Sequence, residues 1–164
     1  FPEDSKDVIL LYEAIYYIPD AKKFVGECAR ILRSGGEVLI VTANKDLYDF
    51  SPSPHSFKYY GVVELSQIFS DAGFSSRCFG YMPIEKTNLK QKILRPVKKI
   101  VVSLGLMPKT MRGKKLLKRL VFGKMVKMPE EINSDMYPYE EPELLDNSIP
   151  DTTHKVIYCV AELS

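Results

Sequence analysis

Few side chains in this sequence combine a reactive type with a telling position. Glu13 directly follows the apolar run "DVILLY", residues 7–12, with Tyr12 before it and Tyr17 four residues after. If that run is a strand, Tyr12 and Glu13 lie at its carboxyl end. The plainer reading of Glu13 is a loop or helix-start carboxylate in water, and of Tyr12 and Tyr17 aromatic packing with the hydroxyl at the surface. His55 and Tyr59, in "SPHSFKYY", place an imidazole and a phenol in a Ser- and Pro-rich loop. A solvated loop histidine is the competing reading there.

Other chemistries are poorly served. Cys28, Cys78 and Cys159 are odd in number, widely spaced and set in apolar segments, which supports neither a disulfide framework nor a metal knuckle and reads as reduced core thiols. No run of 18 or more apolar residues is present to span a bilayer, and "FPEDSKDVIL" lacks the basic start and cleavage site of a secretory signal. These features read as a cytoplasmic protein. At 164 residues and 45% hydrophobic side chains the chain suits one globular domain. A start at Phe, almost directly in a strand, reads as a fragment or a processed chain.

The elements that would position the candidates follow from periodicity. "DVILLY" is a continuous apolar run, expected of a central strand covered on both faces of a parallel sheet. Asp20 offers a helix N-cap, and Phe24, Val25, Cys28, Ile31 and Leu32 follow at helical spacing. Gly35 is expected to close that helix in the left-handed conformation, and Gly36 to turn the chain into a second strand, "EVLIVTA", residues 37–43. Together these form a βαβ unit with parallel strands 7–12 and 37–43. A second helix is expected from Val62 to Ala72, stopping at Gly73, and strands over 74–82 and 154–162. Too little chain follows 154 for a crossover, so the last strand is expected to run antiparallel inside the sheet.

Between those strands lies an excursion of unusual charge. Residues 86–128 hold 14 of the 23 Lys and Arg and none of the 21 Asp and Glu, so a basic segment rides on an acidic body. It reads as two short helices inserted in the domain, followed by an irregular acidic connector over 129–150. Leu116, Leu117, Leu120 and Val121 beside Lys114, Lys115, Lys118 and Arg119 could lie on an anionic membrane surface, which would make the protein peripheral there. Nucleic acid is disfavoured, since only Phe122 is available to stack on a base. The plain alternative is an insertion whose apolar stripe packs on the body.

Taken in order, "FPEDSKD", a strand ending in "YEAIYYIPD", a helix ending in "ARILRSGG", "EVLIVTAN", a helix before "DAGF" and a final antiparallel strand resemble the second half of class I S-adenosylmethionine-dependent methyltransferases. The resemblance covers residues 1 to about 82 and 154–163. It implies an incomplete methyltransferase-like domain over 1–164, an α/β Rossmann-like sheet with a basic helical insertion over 86–128. "LKRLVFGKMVKMPEEI" further resembles an insertion of methyltransferases from polysaccharide and glycolipid clusters.

By this resemblance Tyr12, Glu13, Ala14 and Tyr17 would line one wall of an S-adenosylmethionine site, and His55 and Tyr59 would face the acceptor. Tyr17 stands where the family often has His, and a phenol cannot do imidazole chemistry near neutral pH. The glycine-rich turn and the acidic ribose ligand of the family have no counterpart in these 164 residues. The expectation is therefore the rear portion of an enzyme that methylates oxygen or nitrogen, on a glycan or lipid-linked sugar, inactive by itself. The alternative is an interaction module that dimerises, takes a companion chain, or binds an anionic membrane through its basic insertion.

Overall fold

In a computed structural model the chain divides into two compact units, Phe1–Lys86 with Pro142–Ser164, and Thr87–Glu141. The structure describes residues 1–84, 113, 130, 131, 133, 136 and 139–164. The basic helices expected over 86–128 lie outside the described residues, Gly113 excepted.

The first unit carries β1 (Lys6–Tyr12), a 3-10 turn (Ile15–Tyr17), α1 (Ala21–Ile31), β2 (Leu32–Ala43), α2 (Val62–Asp71), β3 (Phe74–Pro83), β4 (Glu143–Leu144) and β5 (His154–Leu163). The strands form one sheet in the order β1-β2-β5-β3-β4. β1 and β2 are parallel, and β5 is antiparallel to both of its neighbours, β2 and β3. The expected βαβ unit and internal antiparallel strand are present. β4, inside the stretch read as an acidic connector, adds two residues to the edge of β3.

Two expectations need correction. β1 is an edge strand, not the central one its apolar pattern suggests, though a bare edge is what the resemblance implies, and Val8, Leu10 and Tyr12 are 55%, 69% and 70% exposed. The run is apolar on both faces, but among the described residues only one face has a cover. The first helix also ends before Gly35. Asp20 caps its start by accepting the Lys23 N–H at 2.9 Å, and Ala21, Val25, Cys28 and Ile31 are buried. Its last bond runs from the Leu32 N–H to the Cys28 carbonyl, and Leu32 is already extended at ψ 145°. β2 thus starts at Leu32, and the register jumps from Lys6 opposite Leu32 to Val8 opposite Glu37. Gly35, at φ +74°, takes the left-handed conformation inside this irregularity.

The second helix stays close to expectation. Gly61 precedes it, donating its N–H to Glu64 Oε2 at 3.2 Å, and Gly73 follows it at φ +86°. Gly61 is a tight fit, because a Cβ there would stand 1.9 Å from Asp46 Oδ2.

The core lies between the two helices and one face of the sheet. Register places Leu11, Ile40, Cys159 and Cys78 in one row across four strands. Ile9, Val38 and Ala161 form the next row, and both rows pack with Val25, Cys28, Leu65 and Phe69 of the helices. Phe69 meets Phe74 edge-on at 5.3 Å between ring centres. All three cysteines are free and buried, as expected, and burial pushes the Cys28 thiol up to about 11.

Candidate functional site

At the carboxyl end of β1 the backbone does something unusual. Glu13 has φ 51°, a left-handed conformation that a non-glycine residue rarely adopts. It is held there from two sides. Its N–H donates to the Val41 carbonyl at 2.7 Å, extending the β1–β2 pairing, and its Oε2 accepts the Tyr16 hydroxyl at 2.9 Å. Strain of this kind persists only where surrounding structure over-determines it, and such positions cluster at functional sites.

Tyr16 is the hub of this corner. It is buried in the 3-10 turn, and burial first, then the hydrogen bond to Glu13, pushes its phenol well above the usual value. It is therefore a fixed donor to Glu13, not a base. Its ring stacks on Tyr59 at 4.3 Å and 23°, and Tyr17 tilts against it at 4.6 Å. Phe50 meets Tyr59 edge-on at 4.8 Å, and the Phe57 N–H donates to the Tyr16 carbonyl at 2.8 Å. The loop between β2 and α2 is thus docked onto the end of β1 by rings and by a backbone bond.

Of the residues singled out in the sequence, this arrangement gathers Glu13, Ala14, Tyr17 and Tyr59. Ala14 precedes the 3-10 turn and its carbonyl accepts the Tyr17 N–H at 3.0 Å, while Tyr17 keeps half its surface in water. Tyr59 also receives the Ser53 N–H on its hydroxyl at 3.4 Å. His55 is exposed on the same loop, with its backbone N–H on Ser53 Oγ at 3.4 Å. Tyr12 points to the other face of the sheet, in register with Val41 and Tyr158. Sequence reasoning missed Tyr16 and Phe50. The signal for Tyr16 was its place three residues after Glu13, the separation at which a single helical turn brings two side chains together.

A carboxylate beside aromatic faces attracts a cation, and Glu13 with the Tyr16, Tyr17 and Tyr59 rings forms such a surface. Among the described residues no three His, Cys, Asp or Glu side chains are placed to hold a metal ion, and no helix is long and apolar enough to cross a membrane.

Residues 1–40 match the family model of the methyltransferase domain. A protein of Mycolicibacterium smegmatis named "Probable S-adenosylmethionine-dependent methyltransferase" is 34% identical over 79 residues, a match covering 44% of this chain and 30% of that one. A relative of Mycobacterium tuberculosis with the same description is 34% identical over 79 residues, with 28% of its length covered. The chain thus spans under a third of the length of these curated relatives. Among solved structures, an S-adenosylmethionine-dependent methyltransferase of Archaeoglobus fulgidus superposes with a TM-score of 0.53 at 12% identity, over 98% of this chain and 61% of that one. A Haloferax volcanii chain solved with the Trm112 methyltransferase activator gives 0.51 at 15% identity, over 99% and 56%. The fold is the α/β Rossmann-like fold of methyltransferases, and the first 40 residues carry the sequence likeness to that domain.

Proposed function

We propose that this chain is the acceptor-side portion of a class I methyltransferase that moves a methyl group from S-adenosylmethionine to an oxygen or nitrogen atom. The observation that carries this reading is the left-handed Glu13, fastened by Val41 and Tyr16 at the carboxyl end of β1, within the stretch that matches the methyltransferase domain model. Glu13, Ala14 and Tyr17 would hold one side of the cofactor, with Tyr12 reaching it from the other face of the sheet, and His55 and Tyr59 would face the acceptor. The insertion resemblance favours a glycan or lipid-linked sugar as that acceptor.

When bound, S-adenosylmethionine supplies an electrophilic methyl carbon. The acceptor's lone pair forms the new bond as the sulfur–carbon bond breaks, and a proton leaves the acceptor where one is present. Such an in-line displacement depends chiefly on holding the two partners in line. A docked and ring-packed loop suits that task better than a solvated one does. A base matters only for the proton, and Tyr16, with its raised pKa and its hydroxyl given to Glu13, does not supply it.

The remaining wall of the cofactor site would come from a glycine-rich turn outside these 164 residues, so the chain alone is expected to be inactive. Calorimetric titration with S-adenosylhomocysteine tests both parts. A polypeptide that joins this sequence to such a glycine-rich turn should bind in the micromolar range, and Glu13→Ala should weaken that binding at least tenfold. Micromolar binding by the 164 residues alone would overturn the inactivity. No binding by the joined polypeptide would remove the methyltransferase reading.

A second reading, as an interaction module, is favoured by Val8, Leu10 and Tyr12 standing exposed on an edge strand. A second copy or a companion chain would cover them. Sedimentation showing a well-folded monomer at high concentration would count against it. Flotation with anionic vesicles at low and high salt would test the membrane role of the basic insertion.

A further inference from the structure

A second polar cluster lies at the same end of the sheet, between strands far apart in sequence. Asn44, directly after β2, is 1% exposed, and its Nδ2 lies within donating distance of three oxygens: the Asp151 carbonyl at 2.7 Å, Asp151 Oδ2 at 2.9 Å and the His154 carbonyl at 2.9 Å. Its Oδ1 accepts the Asp46 N–H at 3.0 Å, and its own N–H donates to the Lys155 carbonyl at 3.0 Å. Asp151 in turn receives the Thr153 and His154 N–H groups, each at 3.0 Å, and faces His154 Nδ1 at 3.2 Å. The imidazole is 3% exposed and lies so close over Gly80 that a Cβ there would stand 2.3 Å from the ring. Its Nε2 meets Glu143 Oε2 of β4 at 3.2 Å. Met82, the penultimate residue of β3, is left-handed at φ 59°, as Glu13 is directly after β1.

Asn44 is the first residue of the loop that carries Phe50, His55 and Tyr59. The loop's far end is also tied down. Glu64 binds the Gly61 N–H and both Lys45, at 2.9 Å, and Lys58, at 3.3 Å. Buried polar groups with every partner satisfied rigidify what they join. We propose that Asn44, clamped by Asp151 and His154, is a positioning residue that sets the 44–61 loop from β5, so that Tyr59 stacks on Tyr16 and the acceptor side of the site is held in place. This rests on the methyltransferase reading for its purpose, but the geometry it asserts can be tested without any ligand.

The chain has no Trp, so its near-ultraviolet circular dichroism above about 275 nm reports tyrosine environments alone. Tyr59→Phe identifies the part of that signal due to the stacked pair. Asn44→Ala should remove that same part, leave the far-ultraviolet spectrum and a cooperative melt in place, and add no further loss on top of Tyr59→Phe. Asn44→Asp keeps the oxygen that accepts the Asp46 N–H but turns the donor into an acceptor facing the Asp151 carboxylate. It should therefore lose the signal as fully as Asn44→Ala does. A retained signal in Asn44→Asp would reduce Asn44 to a local turn former, and a retained signal in Asn44→Ala would sink the proposal outright. Should neither variant fold, amide exchange in the unmodified chain decides. Asp46 and Phe57 N–H groups exchanging as slowly as those of β2 bear the clamp out, and exchange at the rate of an open loop overturns it. Loss of S-adenosylhomocysteine binding in the joined polypeptide would bear on the function and not on this geometry.

Discussion

On one face of the sheet Leu11, Ile40, Cys159 and Cys78 lie in a row under α1 and α2, and the last three are sealed from water. One residue back along each of the first two strands, and one on in β5, Leu10, Leu39 and Val160 form a row on the opposite face. There Leu10 is 69% exposed. The side chains are equally apolar, so hydrophobicity alone does not decide burial. What decides it is whether a layer exists to cover the face. A parallel strand pair is built for cover on both sides; here α1 and α2 cover one side, while on the other Val8, Leu10 and Tyr12 of β1 stay exposed although Val41 of β2 is buried.

The sharpest way to break this contrast is to remove volume from each face in turn. Phe69→Ala, on the covered side, should cost roughly 3–5 kcal/mol in urea unfolding, since it empties a fully buried ring site against Phe74. Leu10→Ser on the other side should change stability by less than roughly 0.5 kcal/mol. Equal losses would mean that a partner covers both faces in solution.

Glycines on and beside the covered side give a finer version of the test. Gly80→Ala drives a Cβ into the buried His154 ring and should cost about 1–3 kcal/mol. Gly26→Ala on the exposed flank of α1, where a Cβ meets nothing within 4 Å, should gain about 0.5–1 kcal/mol in thermal melting.

The smallest effect is electrostatic. Burial raises the pKa of Glu64, but hydrogen bonds from Lys45, the Gly61 N–H and Lys58 outweigh it and hold the carboxyl below its usual value. A depressed folded value means stability that is present above the ordinary carboxylate pKa of about 4.3 and lost as the pH falls through the lower, folded one. Glu64→Gln should therefore be less stable than the parent near pH 7, with the gap closing as the solution is acidified toward pH 3. A gap that widens in acid would show that the sign is wrong.

Much of the fold was legible because its elements announce themselves locally. Asp20 before a stripe of Val25, Cys28 and Ile31, and Gly73 after Leu65, Ile68 and Phe69, mark helices without any tertiary knowledge. The antiparallel setting of β5 followed from chain length alone. The end of α1 was not legible, because Ile31 and Leu32 satisfy the helical spacing and the strand equally well, and only the backbone of Leu32 separates them. The edge position of β1 is not written in "DVILLY" itself and followed only from the resemblance, whose preceding strands have no counterpart in these residues. Within the site, Glu13, Tyr17 and Tyr59 were marked by the family resemblance, whereas Tyr16, which no motif singles out, was passed over. The Asn44 clamp spans 107 residues between Asn44 and Asp151, and no local period encodes a contact of that reach.

The register jump between β1 and β2 separates two tasks that one short segment would otherwise have to share. Up to Leu32 the chain follows the phase of a helix, and from Glu37 it follows that of a strand. The residues between absorb the mismatch, with Gly35 left-handed and Gly36 pressed to where a Cβ would stand 2.9 Å from the Arg33 carbonyl. Lengthening the segment around Arg33–Ser34 by one residue should leave the inward set of Val38, Ile40 and Thr42 where it is, whereas the same insertion after Val38 would turn the rest of β2 inside out.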